Sequence, residues 1–523
     1  VMLAVWRWTR HSLYAVVVAA LASAVACTTL PDEPPREPDY ADAPSESGPL
    51  QRAAAAIDPP MTSGDSAFRL IPGAGDALAW RITLIDSAIQ SIDAQYFVWH
   101  GDAAGTLLLE RLFAAADRGV KVRLLVDDLH LATSNTLKGI DPDLAAVDYH
   151  PNFELRLFNP GQYRSGTIGA ASSMASDSPR YNRRMHNKML LVDGHFAIVG
   201  GRNVGNEYYG LDEAFNFVDL DILVAGSVIP EISTAFDQYW NAERVYPAGA
   251  LTDTSEEEHR ALLADNRQYL ESKRVLLVAF EARDHTQRLA ELGGTMHRGQ
   301  ANFYKDDPVK RGTERSRLLQ LLTEVAPQEE GDHDVLYSTP YMIPAANFLE
   351  LLETDEEAGV RVRLLTNSLA TNNQPAVHSH YKKYRDTFLD MGVELFELHH
   401  QPAGNLRRFI DTPPVTSEHI GLHMKAAVIN DDRCFLGTLN FDPRSIDINT
   451  ENVLYIESQA LCGEVLDYIE GFVQPEAAWS VTRDGDGDLQ WTSFEGSVDL
   501  QPARDTSQRL MDSIYRLLPE DQL

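Results

Sequence analysis

The sequence predicts an α/β chain of two lobes produced by internal duplication, each a mixed, largely parallel sheet flanked by helices, with one site at the pseudo-twofold interface. Three observations predict it. The stretches RMHNKMLLVDGHFAIVGGRN around His186 and GLHMKAAVINDDRCFLGTLN around His423 are near copies, each setting His and Lys two residues apart on an apolar run. In a strand both polar heads point to one face. The same chain distance separates His186 from His423 and Asn203 from Asn440, so the copies share a register. Finally, AADRGVKVRLLVDDL from Ala115 matches DEEAGVRVRLLTNSL from Asp355, each the end of a helix, a Gly stop and a buried strand. One long unit appears twice, whereas solenoids need three or more short copies.

The elements follow in order. Residues 1–27 carry Arg7 and Arg10, then an apolar run from Leu13 to Ala26 ending at Cys27. This reads as a secretory signal with a lipoprotein-type cleavage box, Cys27 being the lipidated residue, or as an uncleaved N-terminal anchor. Residues 28–65, rich in Pro, Glu, Asp, Ala and Ser, are expected to form a disordered linker. Residues 66–245 form the first lobe: a helix through DALAWRITLIDSAIQS, a strand at IDAQYFVW, a helix at GTLLLERLFAAADRG and the strand VKVRLLVDD. Between Pro160 and Arg180 a small-residue stretch reads as a loop over the site. Residues 246–308 connect the halves, with a helix at LADNRQYLESKRVLLVAFEA and then an irregular stretch ending in ANFYKDDPVKRG. Residues 309–523 repeat the alternation, opening on the helix TERSRLLQLLTEVA, continuing through DVLYSTPYMIPAANFLELLE, VRVRLLTN, a long helix HSHYKKYRDTFLDMG and VELFEL, and closing on an amphipathic docking helix in TSQRLMDSIYRLLPEDQL.

At 523 residues and 44% hydrophobic composition the chain can fill two cores. Its formal net charge of −32 argues against a nucleic acid partner, which requires a basic face. Cys434 and Cys462 lie in apolar contexts and read as buried free thiols, with a disulfide as the alternative. DGDGDLQWTSFE, from Asp484, spaces its acids as a calcium loop does, but Leu489 stands where that loop needs Gly, so a hairpin turn is expected.

If the two motif strands face each other, His186, Lys188, Asn203, His423, Lys425 and Asn440 converge. Two Lys and two Asn would cage the non-bridging oxygens of a phosphate and favour the dianionic five-coordinate phosphorus. One imidazole would attack phosphorus while the other protonates the departing oxygen. No metal or cofactor is called for, because the lysines supply positive charge. A nucleophilic His also needs an acceptor on its other nitrogen; Asp219 in NFVDLDIL and Glu451 in NTENVLYI are candidates, with Asp221 an alternative to the former. His195, His378, His380, His399 and His400 lie outside the repeat and read as surface or packing residues.

At these residues the sequence resembles the phospholipase D superfamily, whose signature His-x-Lys-x4-Asp occurs twice in one chain. The first copy is complete as His186, Lys188 and Asp193; the second holds Asn430 in the acidic slot, with Asp431 one place late. The resemblance makes Asp219 and Glu451 the His-polarising acids, Asn203 and Asn440 the phosphate contacts, and His186 rather than His423 the nucleophile. RMHNK, GGRNVGNEY, ANFYKDDPVK, VHSHYKKYR, LNFDPRS, NTEN and the tail are similar to the cardiolipin synthase C-like branch of bacterial enzymes. That branch implies phosphatidyl transfer from phosphatidylglycerol or phosphatidylethanolamine onto phosphatidylglycerol, giving cardiolipin through a phosphohistidine. A hydrolase releasing phosphatidic acid is the alternative. The branch also implies a phospholipid substrate, and the N-terminal signal or anchor implies a membrane surface as partner and a place in a bacterial cell envelope outside the cytoplasm. Arg183, Arg184, Arg202, Arg407, Arg408 and Arg444 would offset negative charge near the mouth or simply solvate the surface.

Overall fold

The computed structural model describes residues 30, 37–57, 64–129, 141–162, 173, 178–251, 253–280, 285–310, 316, 318, 321, 324, 333–403 and 405–517. The expected signal or anchor with Cys27, the greater part of the loop before Arg180 and most of the helix expected at TERSRLLQLLTEVA lie outside these residues.

In the first lobe, β1 (Ser66–Ile71), β2 (Ser91–Tyr96), β3 (Lys121–Asp127), β4 (Phe153–Phe158), β5 (Met189–Val192), β6 (Phe196–Gly200), β7 (Phe215–Val218), β8 (Asp221–Gly226) and β9 (Val245–Pro247) follow one another along the chain. All but β7 join one sheet in the spatial order β9, β4, β3, β2, β5, β6, β8, β1. In the second lobe come β10 (His297–Lys305), β11 (Asp334–Ser338), β12 (Arg361–Asn367), β13 (Glu394–Leu398), β14 (His419–Leu422), β15 (Ala426–Ile429), β16 (Arg433–Gly437), β17 (Asn452–Glu457), β18 (Ala478–Arg483) and β19 (Leu489–Ser493). Their sheet runs β19, β18, β13, β12, β11, β15, β16, β17, β10, so the repeat is written in strand order as well as in sequence.

The mixed sheet expected from the α/β alternation is present, and its parallel pairs are confined to the helix-connected strands β2–β3–β4 and β11–β12–β13. The motif strands join antiparallel. The reason is connection length: β5 and β6, like β15 and β16, are linked by a three-residue turn, and parallel neighbours need a crossover of a dozen or more residues. Helices Ala74–Ser87 and Ala103–Asp117 bury their apolar stripes on the first lobe, the second capped by Asp102, whose side chain accepts from the Gly105 amide.

Three expectations are corrected. The linker is folded from residue 37 to 57: Leu50 and Ile57 enter the first core, Asp39 pairs with Lys121 at 2.6 Å, and Asp237 accepts from the Ala41 amide. Few apolar side chains suffice because they fall on one side of the short helix Pro49–Ala55 and the acids find buried or half-buried partners. The irregular stretch before Lys305 is the strand β10, which pairs with β1 through His297–Gly299 and with β17 through Gln300–Lys305, making one continuous sheet of both lobes. Its weak alternation reflects side chains that stay partly exposed. Lastly, Cys434 on β16 and Cys462 on helix Gln459–Gly471 form a disulfide, their Cα atoms 5.5 Å apart, rather than standing as free thiols; packing of the helix onto the strand brings them together.

The long helix expected from His378 is interrupted at residues 382–384 into Pro375–Tyr381 and Arg385–Asp390. The acidic run from Asp484 is a hairpin turn between β18 and β19, closed by Asp484 Oδ1 accepting from the amides of Asp486 and Asp488. His378 and His399 are buried packing residues, the former paired with Asp512 at 3.0 Å.

Candidate active site

The lobes meet along two short parallel contacts. β7 pairs with β14 so that Val218 stands opposite Leu422, and an isolated bridge sets Met185 opposite Thr450. In each, the residue before a motif His lies beside the residue before the other lobe's acid. The His423 amide donates to the Val218 carbonyl at 2.8 Å, and the His186 amide to the Thr450 carbonyl at 2.9 Å. The next side chains are therefore neighbours across the interface: His186 Nδ1 lies 2.7 Å from Glu451 Oε2, and His423 Nδ1 lies 2.7 Å from Asp219 Oδ2.

Both acids named from the sequence are thus the partners, exchanged between lobes. With Nδ1 engaged by a carboxylate, Nε2 is the other nitrogen of each ring. Asp221 is not an alternative: it holds Arg81 at 2.8 Å inside the first lobe.

His186 and His423 line the same cavity of about 730 Å³, together with Asn203 and Asn440. Aromatic edges seat the rings, Phe97 against His186 at 5.0 Å and Tyr208 and Phe217 against His423 at 5.2 and 4.9 Å. Lys188 Nζ donates to the His186 carbonyl at 2.6 Å, and Lys425 Nζ to that of His423. Asn203 is fixed by the Val98 amide, which donates to Oδ1 at 3.1 Å, and by its own Nδ2 donating to Tyr208 at 3.0 Å. Asn440 Nδ2 donates to Ser445 at 3.3 Å.

Burial and the ammonium groups of Lys188 and Lys425 hold both imidazoles neutral, His423 down to about 3 and His186 well below its ordinary value. Burial depresses the lysines in turn, Lys425 to about 8. The acids differ. Burial pushes Glu451 up to about 7 against the pull of Lys188, whereas for Asp219 the hydrogen bond from His423 and the charges of Lys425 and Arg202 outweigh burial and hold it at about 2.

Asp193 is not in the cavity. Its carboxylate accepts from the amides of Ile89, Gln90 and Ser91 and so anchors the start of β2. Asn430 does the equivalent work, accepting from the Asp334 amide at the start of β11 at 3.2 Å. Both sit at the left-handed corner of the hairpin, φ 51° and 54°, where Asp and Asn are tolerated. The departure in the second motif therefore touches a turn.

Of the arginines, Arg184 and Arg444 line the cavity, Arg444 donating to Asn182 at 2.9 Å. Arg202 is buried on the carbonyls of Ile71, Pro72 and Asp219, and Arg407 pairs with Asp411 at 3.1 Å. Sequence reasoning missed His100, a cavity residue 3.1 Å from Glu207 whose hydrogen bond raises its pKa, and Asp442, which burial pushes up to about 7. His100 lies past the end of β2 in no repeated pattern, and Asp442 falls within LNFDPRS, a string that carried the resemblance without giving this residue a role.

The expected convergence holds for the two His and two Asn, which line the cavity, whereas Lys188 and Lys425 stand behind it with Nζ on the carbonyls of His186 and His423. Two His-Lys pairs on duplicated α/β lobes, their imidazoles opening on one cavity, define a phospholipase D-type phosphoryl-transfer enzyme. The chain belongs to the family of cardiolipin synthase, phospholipase D-like domain proteins, whose model matches residues 82–240 and 330–473. It is 33% identical over 466 residues to cardiolipin synthase C of Escherichia coli (strain K12), covering 86% of this chain and 94% of that protein. Cardiolipin synthase 1 of Bacillus cereus is 23% identical over 471 residues, 88% of this chain and 71% of that one. The crystal structure of phosphatidylserine synthase from Haemophilus influenzae Rd KW20 shares the fold, with a TM-score of 0.53 at 15% identity over 82% of this chain and 91% of that one. The enzyme is a phospholipid phosphatidyltransferase of the phospholipase D superfamily.

Proposed function

We propose that this chain makes cardiolipin by transferring a phosphatidyl group to phosphatidylglycerol through a phosphohistidine on His186, with His423 as general acid and base. The observation that carries the reading is that both imidazoles open on one cavity, each steadied by the other lobe's carboxylate.

His186 Nε2 attacks phosphorus, the bond to the head-group oxygen breaks, and that oxygen takes the Nε2 proton of His423, which enters this step as the imidazolium that ionised Asp219 and a bound anionic phosphate favour, in place of the neutral ring of the empty site. The acceptor hydroxyl then loses its proton to His423 as its oxygen attacks phosphorus, the N–P bond breaks, and both rings return to their starting states. Asp219 favours this division: ionised, it stabilises the imidazolium of His423, whereas the less acidic Glu451 leaves His186 neutral for attack. Lys188, Lys425, Asn203 and Asn440 would bind the non-bridging oxygens, and the lysines would gain most as the dianion develops.

Phosphatidylglycerol or phosphatidylethanolamine is the donor, and the site of work is a bacterial envelope membrane outside the cytoplasm. The Cys434–Cys462 disulfide supports an oxidising compartment, and the apolar N-terminal run ending at Cys27 supports a tether. Among the described residues no helix is long and apolar enough to cross a membrane.

The test is incubation of the purified chain with phosphatidylglycerol, with and without phosphatidylethanolamine, and quenching with label on the phosphate. Cardiolipin with label on His186 is the expected outcome. Phosphatidic acid as sole product would replace the synthase reading with the hydrolase, and label on His423 would exchange the two roles.

A further inference from the structure

The C-terminal helix Thr506–Tyr515 is amphipathic in the reverse sense. Its inward face is polar: Gln508 Nε2 donates to the Leu369 carbonyl at 2.6 Å, and the buried carboxylate of Asp512 pairs with His378 at 3.0 Å and with Lys382. Outward stand Leu510, Met511, Ile514 and Leu517, exposed to 63%, 41%, 49% and 86%. Their spacing places them on one stripe. Leu500, 69% exposed, stands close by, its neighbour Gln501 reaching Asp512 with its side chain and accepting from Arg509 with its carbonyl, each at 3.2 Å. A helix shaped for water alone turns such a stripe to the core.

Two observations say what covers it. The helix on which it docks, Pro375–Tyr381, forms cavity wall through Val377, with Gln374 just before it, so the stripe lies one helix from the mouth. Arg509 and Arg516 flank the stripe along one edge and Arg504 stands at the helix start, in a chain whose formal net charge is −32. Apolar side chains edged by cations match an anionic lipid surface.

We propose that this outer face of the C-terminal helix seats the enzyme on an anionic phospholipid bilayer beside the mouth; the proposal rests on the phospholipid-substrate reading. The full chain is mixed with vesicles of phosphatidylglycerol and phosphatidylethanolamine, and amide exchange over 506–517 is followed together with turnover. Turnover is measured on vesicles and on short-chain phosphatidylglycerol dispersed as monomers.

In the wild type, vesicles should slow exchange over 506–517. Leu510→Ser, Ile514→Ser and Leu517→Ser combined should remove that protection and lower vesicle turnover about ten-fold or more, leaving monomer turnover unchanged. Since all three residues are exposed, the fold should survive; Arg516→Glu, which leaves the stripe intact, should weaken binding to vesicles containing phosphatidylglycerol. Exchange indifferent to vesicles, full vesicle turnover in the triple variant, or a wild-type dimer that the variant abolishes would overturn the proposal. Protection without turnover of any lipid would instead sink the transferase reading while supporting this surface.

Discussion

Glu451 of the second lobe accepts from Nδ1 of His186 of the first at 2.7 Å, and Asp219 serves His423 in return at the same distance. Neither lobe alone holds a complete His–carboxylate pair. The duplication thus yields one active site from two halves, and the parallel contacts Val218–Leu422 and Met185–Thr450 set the exchange.

Glu451→Gln and Asp219→Asn keep shape and remove charge. Each should lower turnover by about 10²–10⁴-fold, the range for disabling one proton-transfer or nucleophilic group. With the natural head group both variants slow formation of the His186 adduct, the step that also expels the head group; with a donor whose leaving alcohol is acidic, such as p-nitrophenol, the burst should recover in Asp219→Asn and stay slow in Glu451→Gln. Equal loss of the burst in both with that donor would refute the division of roles.

The alkaline limb of kcat/KM, which reports the free enzyme, should fall near pH 8, where Lys425 loses its proton. The limb for kcat should lie higher, because a bound phosphate favours the charged lysine. A limb in kcat/KM that stays flat to pH 10 would remove Lys425 from the cage.

Folding stability should carry the mark of Glu451. Its pKa rises from 4.5 to about 7 on folding, so the folded state binds the extra proton. Its contribution is complete below about 4.5 and is lost as pH rises through 7. Asp442, raised to about 7 as well, adds in the same direction. The fall in Tm across this window should be shallower in Glu451→Gln, as thermal denaturation at a series of pH values would show.

Asp193→Asn should leave kcat unchanged, since Asn430 does the same work in the other lobe. Asp193→Ala strands three amides and should cost about 1–3 kcal/mol of stability. Loss of turnover in a folded Asp193→Asn protein would return that residue to the chemistry.

Replacing Cys434 and Cys462 together by Ala should lower stability by about 3–4 kcal/mol, the chain-entropy value for a loop of this size. Both residues are fully buried, so reductant should act on the native protein only slowly. An unchanged denaturation midpoint would show that the helix holds its strand without the bond.

The sequence by itself determined the duplication, the α/β class, the two His-Lys pairs and both Asn residues, because each is a local pattern repeated in register; the acids, which do not share that spacing, were narrowed to Glu451 and to Asp219 or Asp221. It also led astray where local pattern and packing disagree: β10 alternates weakly because its side chains stay partly exposed, and residues 37–57 are ordered by partners far along the chain, Asn241 and Lys121 among them. Only the tertiary structure decided which acid serves which histidine, that Cys434 and Cys462 pair, and that His100 and Asp442 reach the cavity. The physical reason is common to all three. Contact between residues distant in sequence is set by how the two lobes and their helices pack, and periodicity along one chain carries no record of that docking.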